Sequence, residues 1–166
     1  MRSQKRKQQI DPIAQFMQEH DEMLLQLSSL TKASRSLAQH GFSVDAFNKV
    51  NLALHFIEDE VSVHNKREEE ALFPVLERYV EGPTRLMRED HRNLKKEYIG
   101  LRRVVRKLEK KKDDEDLIRE LEVAAKSIVH GFVNHIHKEN HILFPLVQKF
   151  MTKDALREVA RRMLHA

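Results

Sequence analysis

The chain has 166 residues, of which 40% are hydrophobic and 34% charged, with four glycines, four prolines and no cysteine. This length suits one domain with a sizeable core, and the composition is typical of a helical bundle with solvated outer faces. The lack of cysteine excludes disulfides, thiolate metal sites and thiol chemistry. The net charge is +4, but acidic residues are interspersed among the basic ones. No aromatic residues alternate with the basic residues to stack on bases, and both features disfavour nucleic-acid binding.

The chain starts with a basic segment that no apolar stretch follows, so we predict no signal peptide. No apolar run is long enough to span a bilayer, and we expect a cytoplasmic protein without membrane contact. We assign residues 1–10 to a basic N-terminal extension, residues 11–150 to the bundle and residues 151–166 to a C-terminal helix.

Four long stretches carry apolar residues at steps of three and four, the spacing of helix faces that pack together. The first helix is predicted to begin at Asp11 and Pro12, an N-cap followed by proline, and to end before Gly41. Its predicted core face is Ile13, Phe16, His20, Leu24, Leu27 and Leu30.

The second helix is predicted to begin near Ser43, and the third after the break at residues 81–83, with Thr84 as its N-cap. The core face of the second is Val50, Leu54, Ile57, Val61, His64, Glu68, Ala71 and Val75. That of the third is Met87, His91, Leu94, Tyr98, Leu101, Val105 and Leu108.

A charged turn at residues 110–116 precedes the fourth helix, and a short fifth helix is predicted from Thr152 onward. The core face of the fourth is Leu117, Leu121, Ala124, Ile128, Phe132, His135, Glu139, Ile142 and Leu146. No strand-like alternation persists. We predict an all-α fold, an up-down-up-down four-helix bundle with a short C-terminal fifth helix.

An internal repeat relates the two halves of the chain. A histidine and a glutamate four residues later are followed by Leu-Phe-Pro twice, and the second copy lies 71 residues after the first. The same offset takes His20 to His91. The two Leu-Phe-Pro segments contain Pro74 and Pro145, which should bend or end their helices. We expect Phe73 and Phe144, which directly precede these prolines, to pack near the repeated residues.

Residues four apart on a helix share a face, so each pair can offer an imidazole and a carboxylate to one point. The predicted ligands are His20, His64, Glu68, His91, His135 and Glu139. Burying two carboxylates together is costly without compensation, and two divalent cations would provide it. Imidazole and carboxylate without sulfur suit iron or manganese. If each glutamate bridges the two metals, each metal keeps an open position for a small ligand.

The segments EHDEMLLQL around His20, HNKREEEALFPVLE from His64, EDHRNL around His91 and HIHKENHILFPLV from His135 resemble the haemerythrin-like, or HHE cation-binding, domains. The resemblance covers residues 13–148. It implies a four-helix bundle with a non-haem di-iron centre. The four histidines would be terminal ligands, and the two glutamates bridging ligands.

The chain differs from the oxygen-carrying haemerythrins, which have a second histidine on the third helix and an aspartate on the fourth. Here Lys95 stands four residues after His91, and Glu139 stands in place of the aspartate. The ligand set is closer to the family's di-iron proteins linked to nitric oxide and iron–sulfur repair. Those usually carry an additional cysteine-bearing segment, and this chain has no cysteine.

Two further residues could face the site. Glu60 is either a third carboxylate or a salt-bridged boundary residue, and Tyr98 is either a hydrogen-bond donor to a bound ligand or a core residue. The histidines predicted to lie on the surface or at the boundary are His40, His55, His130, His137, His141 and His165.

Two classes of function remain open, besides a bundle without metal. The first is a di-iron protein that binds oxygen or nitric oxide for sensing, storage or stress response. The second is an enzyme that turns over oxygen, peroxide or nitric oxide, or contributes to iron–sulfur repair. A histidine-rich site with two carboxylates should favour the ferrous state, and we therefore favour ligand binding. The sequence identifies no protein partner.

Overall fold

The computed structural model describes residues 10–166, which form four long helices and a short fifth helix and no strand. Three of the helices are uninterrupted: α1 is Pro12–His40, α3 is Pro83–Lys110 and α5 is Lys153–Met163. The other two contain π-helical turns. α2 runs through Val44–Phe56, Ile57–Val61, Ser62–Arg67, Glu68–Leu72 and Phe73–Leu76, and α4 through Glu115–Lys138, Glu139–Leu143 and Phe144–Phe150. The predicted all-α bundle is confirmed, and residues 1–9 of the predicted extension lie outside the described part.

Side-chain caps fix where most helices begin. The Asp11 carboxylate accepts hydrogen bonds from the backbone N–H groups of Ile13 and Ala14, at 3.0 and 3.3 Å. Ser43 caps α2 and Thr152 caps α5 in the same way, at the positions where these helices were predicted to begin. These bonds satisfy N–H groups that have no partner within the helix.

Thr84 was wrongly predicted as the cap of α3. This helix begins at Pro83, directly after Gly82, and Thr84 is buried in its first turn. Gly82 has φ of 106°, which favours glycine because a side chain is strained there. The turn is therefore made by backbone conformation and not by a hydroxyl cap.

The predicted core faces of α2 and α3 are buried throughout, but five predicted positions on the other helices are not. Leu117, Ala124 and Leu146 of α4 are only partly buried, and Leu24 of α1 and Ile142 of α4 are exposed. Leu24 is 37% exposed, and Met23 is buried in its place. Met23 lies three residues after His20 and four before Leu27, so it shares their face of the helix. Ile142 is 53% exposed, whereas Leu143 is fully buried. The π-helical turn adds a residue to this turn of α4, which shifts the inward-facing position by one.

Two of the three π-helical turns begin at the repeated glutamates and end just before the Phe-Pro pairs. Neither proline ends its helix at once, since α2 continues to Leu76 and α4 to Phe150. Proline lacks the N–H of a helical hydrogen bond, and the wider turn before it accommodates this loss. Instead of the predicted bend or helix end, each helix changes locally from α-helix to a π-helical turn before its proline.

The core consists of two apolar clusters with the repeated polar residues between them. On α1, for example, Phe16 belongs to one cluster, Met23 to the other, and His20 lies between. α5 adds Val159 to the first cluster and packs against the π-helical turn of α2 that contains Glu68. The bundle thus holds these polar side chains at the centre of a packed interior. None of its described helices has both the length and the apolar character needed to cross a bilayer.

Candidate metal centre

The structure brings together all six residues predicted as ligands. Their donor atoms form two groups of four, within which all atoms lie less than 4.8 Å apart. One group is His20, His64, Glu68 and Glu139, and the other is Glu68, His91, His135 and Glu139. Both glutamates belong to both groups and are fully buried. This sharing is what two adjacent ions bridged by two carboxylates would require.

The closest contacts join imidazole nitrogens to carboxylate oxygens. His64 Nε2 lies 2.5 Å from Glu68 Oε1, and His135 Nε2 lies 2.9 Å from Glu139 Oε1. Contacts between the halves are longer: His20 Nε2 is 3.3 Å from Glu139 Oε1, and His91 Nε2 is 3.3 Å from Glu68 Oε2. Each glutamate therefore meets imidazoles from both halves of the repeat.

Each of the four imidazoles is held from behind at its Nδ1 atom. Four oxygen atoms contact these nitrogens: Glu19 Oε2 with His64 at 2.8 Å, Asn140 Oδ1 with His20 at 2.7 Å, Glu69 Oε1 with His91 at 2.8 Å and Asp90 Oδ2 with His135 at 3.1 Å. An oxygen acceptor at Nδ1 assigns the proton to that nitrogen and leaves the Nε2 lone pair free for an ion. All four Nε2 atoms point into the site.

In the interior of the site, the carboxylate oxygens of the two glutamates consequently face the Nε2 lone pairs of the imidazoles, and both are hydrogen-bond acceptors. All four carboxylate oxygens of Glu68 and Glu139 are buried and have no hydrogen-bond donor, although imidazole nitrogens lie close to them. Buried carboxylates without a donor are costly, and a cation between them and the Nε2 lone pairs removes that cost. The residues therefore fit a metal site, and the ligand chemistry suits iron or manganese.

Without a metal, protons would take over part of this role. Burial opposes a charge on His64, but the negative charge of Glu68 and the contacts with Glu19 and Glu68 outweigh it and raise the pKa of His64 to about 10. Burial also opposes a charge on His135, yet its contacts with Glu139 raise the pKa of His135 to about 9. A metal bound at this site would therefore displace protons from these imidazoles.

Two phenylalanines of the repeat pack on the imidazoles, as predicted. The ring of Phe144 stacks on His20 with centroids 5.5 Å apart, and that of Phe73 stacks on His91 at 6.0 Å. Both phenylalanines are buried. Together with the Nδ1 contacts, they fix the planes of the His20 and His91 rings and keep that side of the site dry.

Other residues singled out in the sequence lie away from the centre. Glu60 is exposed, and the Tyr98 hydroxyl donates to Glu58 Oε2 at 3.0 Å, so neither is directed at the six residues. His137 and His141 are exposed on α4, with ring centroids 4.3 Å apart. The remaining histidines outside the repeat take no part in the two groups, as predicted.

Sequence reasoning missed the residues behind the imidazoles, although the repeat contained a signal for them. Glu19 and Asp90 each directly precede a histidine and lie 71 residues apart. Their carboxylates are contacted in turn by Arg67 and Lys138, which have the same offset. Applying the offset to every polar neighbour of the six predicted ligands would have found these positions.

The family comparison agrees with this geometry. Residues 11–147 match the family described as the Hemerythrin HHE cation binding domain. The chain belongs to this haemerythrin family. No curated protein matches the sequence. Membership of the haemerythrin family accounts for the helical bundle and for a cluster of buried histidines and glutamates that suits a cation.

Proposed function

We propose that this haemerythrin-family protein holds two iron ions and binds a small diatomic ligand, oxygen or nitric oxide. The observation that carries the proposal is the pair of buried glutamates with four donor-free oxygens, shared between two groups of imidazoles. Manganese would suit the same donors. Bound iron would supply an open coordination position and a change of oxidation state.

The roles of the protein residues follow from their contacts. His20, His64, His91 and His135 would each give one nitrogen, and Glu68 and Glu139 would bridge the two ions. The oxygen atoms at Nδ1 orient the imidazoles and increase their basicity. The phenylalanine rings exclude water from one side of the site. A site that is shielded from water on this side suits reversible binding better than it suits release of reduced products.

Ligand binding is favoured over catalysis by the donor set. Four neutral imidazoles and two carboxylates carry less negative charge than the carboxylate-rich sites of oxygen-activating bundles, and so stabilise ferric iron less. The proposal therefore places the protein in sensing, storage or a stress response. A cytoplasmic location belongs to the same proposal, because the cysteine-free chain has no need of an oxidising compartment.

The test is an anaerobic preparation loaded with ferrous iron, followed by optical spectra under oxygen or nitric oxide and again after the gas is removed. We expect two irons per chain and a spectrum that returns to its starting form. His64→Ala is the matched loss variant, and His137→Ala, which alters an exposed histidine on α4, is the control. Rapid, irreversible oxidation with steady consumption of oxygen or peroxide under a reductant would instead establish the enzyme alternative.

A further inference from the structure

The two groups of donor atoms define two metal positions that share both glutamates. The first position has the imidazoles of His20 and His64, and the second has those of His91 and His135. The same types of ligand therefore surround each position. A difference in charge between the two positions comes from the residues behind the imidazoles.

Behind one imidazole of each position lies a carboxylate that has a cation of its own. At the first position this carboxylate is Glu19, whose other oxygen lies 3.4 Å from Arg67. At the second position it is Asp90, which is paired with Lys138. The repeat offset of 71 residues relates the two carboxylates and also the two cations. Both charges are neutralised, so these contacts do not distinguish the two positions.

Behind the other imidazole of each position the repeat is broken. Glu69 Oε1 lies 2.8 Å from His91 Nδ1, whereas the amide oxygen of Asn140 lies 2.7 Å from His20 Nδ1. Glu69 and Asn140 are 71 residues apart, and both are half-buried. The second position therefore has a carboxylate where the first has a neutral amide, at nearly the same distance from the imidazole.

The charge of Glu69 is not neutralised by a cation of its own. Its carboxylate lies within ion-pair distance of His91, and of no lysine or arginine in the described part of the chain. Lys66, Arg92 and Lys95 line the same groove between α2 and α3, but all three are exposed, and solvent screens their charges. One negative charge thus remains behind the second position and none behind the first.

This charge should be felt by a metal ion in front of the imidazole. A carboxylate that accepts from an imidazole makes the other ring nitrogen a more basic ligand, and its negative charge attracts the ion directly. Loss of an outer partner typically weakens metal binding by about 10- to 100-fold. Glu69 is half-buried and Asn140 still provides an acceptor, so we expect the lower end of this range, about tenfold.

We infer that Glu69 makes the second position the tighter of the two, so that the first metal ion enters beside His91 and His135, and the position beside His20 and His64 fills last. The inference rests on the proposed metal centre. The first ion is attracted by both glutamates, because both belong to each group, and the second ion is then repelled by the first. At limiting metal the chain therefore holds a single ion at the second position.

The experiment adds one equivalent of manganese to the metal-free full chain and measures anomalous diffraction from its crystals. We expect an occupancy about tenfold higher at the second position than at the first. Glu69→Gln removes the charge but keeps an oxygen acceptor and the shape of the side chain, and it should bring the two occupancies close together. Asn140→Asp adds a charge behind His20 and should also level them, and the double variant should reverse the order.

Glu70→Gln is the matched control, because it removes a carboxylate from the neighbouring exposed residue, which has no contact with the four imidazoles. It should leave the preference for the second position unchanged. Calorimetric titration with manganese should likewise show a first binding step that is severalfold weaker in Glu69→Gln and unchanged in Glu70→Gln. Equal occupancies in the wild-type chain, or the same response to both substitutions, would overturn the inference.

Saturation of the wild-type chain with manganese separates this inference from the proposed function. Fewer than two ions per chain at saturation would refute the proposed metal centre itself. Two ions per chain that enter without a preferred order would refute only the role of Glu69.

Discussion

Replacement of Glu19 is the sharpest test of the contacts behind the imidazoles. Glu19 Oε2 accepts from His64 Nδ1 at 2.8 Å, and its other oxygen is contacted by Arg67 at 3.4 Å. Glu19→Ala removes the acceptor that orients His64 and assigns its proton. Loss of such an outer partner weakens metal binding by about 10- to 100-fold, or about 1.4–2.8 kcal/mol.

The assay is calorimetric titration of metal-free protein with manganese or, under anaerobic conditions, ferrous iron. Glu22→Ala is the control, because it removes an exposed carboxylate from the same helix one turn further on. Glu19→Gln keeps an oxygen acceptor, as Asn140 does for His20, and should cost less than Glu19→Ala. Equal affinities for Glu19→Ala and Glu22→Ala would refute the reasoning.

Three further predictions concern the centre and its surroundings. Glu139→Ala should abolish binding of both ions, because its carboxylate belongs to both groups; elemental analysis that still finds two ions per chain would contradict the shared bridge. Phe144→Ala should lower the free energy of unfolding by about 3–5 kcal/mol in urea denaturation, and Phe150→Ala, at an exposed position, by much less; similar losses would count against the packing described. In the metal-free protein, the pKa of His64 is raised to about 10 and that of His135 to about 9, from the usual 6.5. Protonation of these imidazoles therefore stabilises the fold fully below pH 6.5, and this stabilisation falls as pH rises and is lost above about pH 10. Thermal denaturation should therefore show stability decreasing through this window, and a flat profile would contradict it.

The cluster of six buried residues was predictable because helical periodicity acts locally and because the repeat presents the same inward-facing pair twice. A histidine and a glutamate four residues apart on an apolar face must point inward together, wherever the helix lies. The caps at Asp11 and Ser43 were predictable for the same reason, since each side chain bonds to an N–H two or three residues away. Local rules were sufficient for these features.

The remaining features depend on how helices are placed against one another. The inward position after Glu139 moved from Ile142 to Leu143 because a π-helical turn changes the register, and the apolar spacing gave no sign of that turn. A groove lies between α2 and α3, which contact each other at few places, and no apolar spacing in the sequence predicts this gap. The division into domains remains a prediction.

The most direct test is a crystal structure of the metal-loaded protein with anomalous diffraction at the metal absorption edge. The account predicts two peaks per chain, one among His20, His64, Glu68 and Glu139 and one among Glu68, His91, His135 and Glu139. A single peak, or occupied metal at the exposed imidazoles of α4 with none among the buried glutamates, would contradict it.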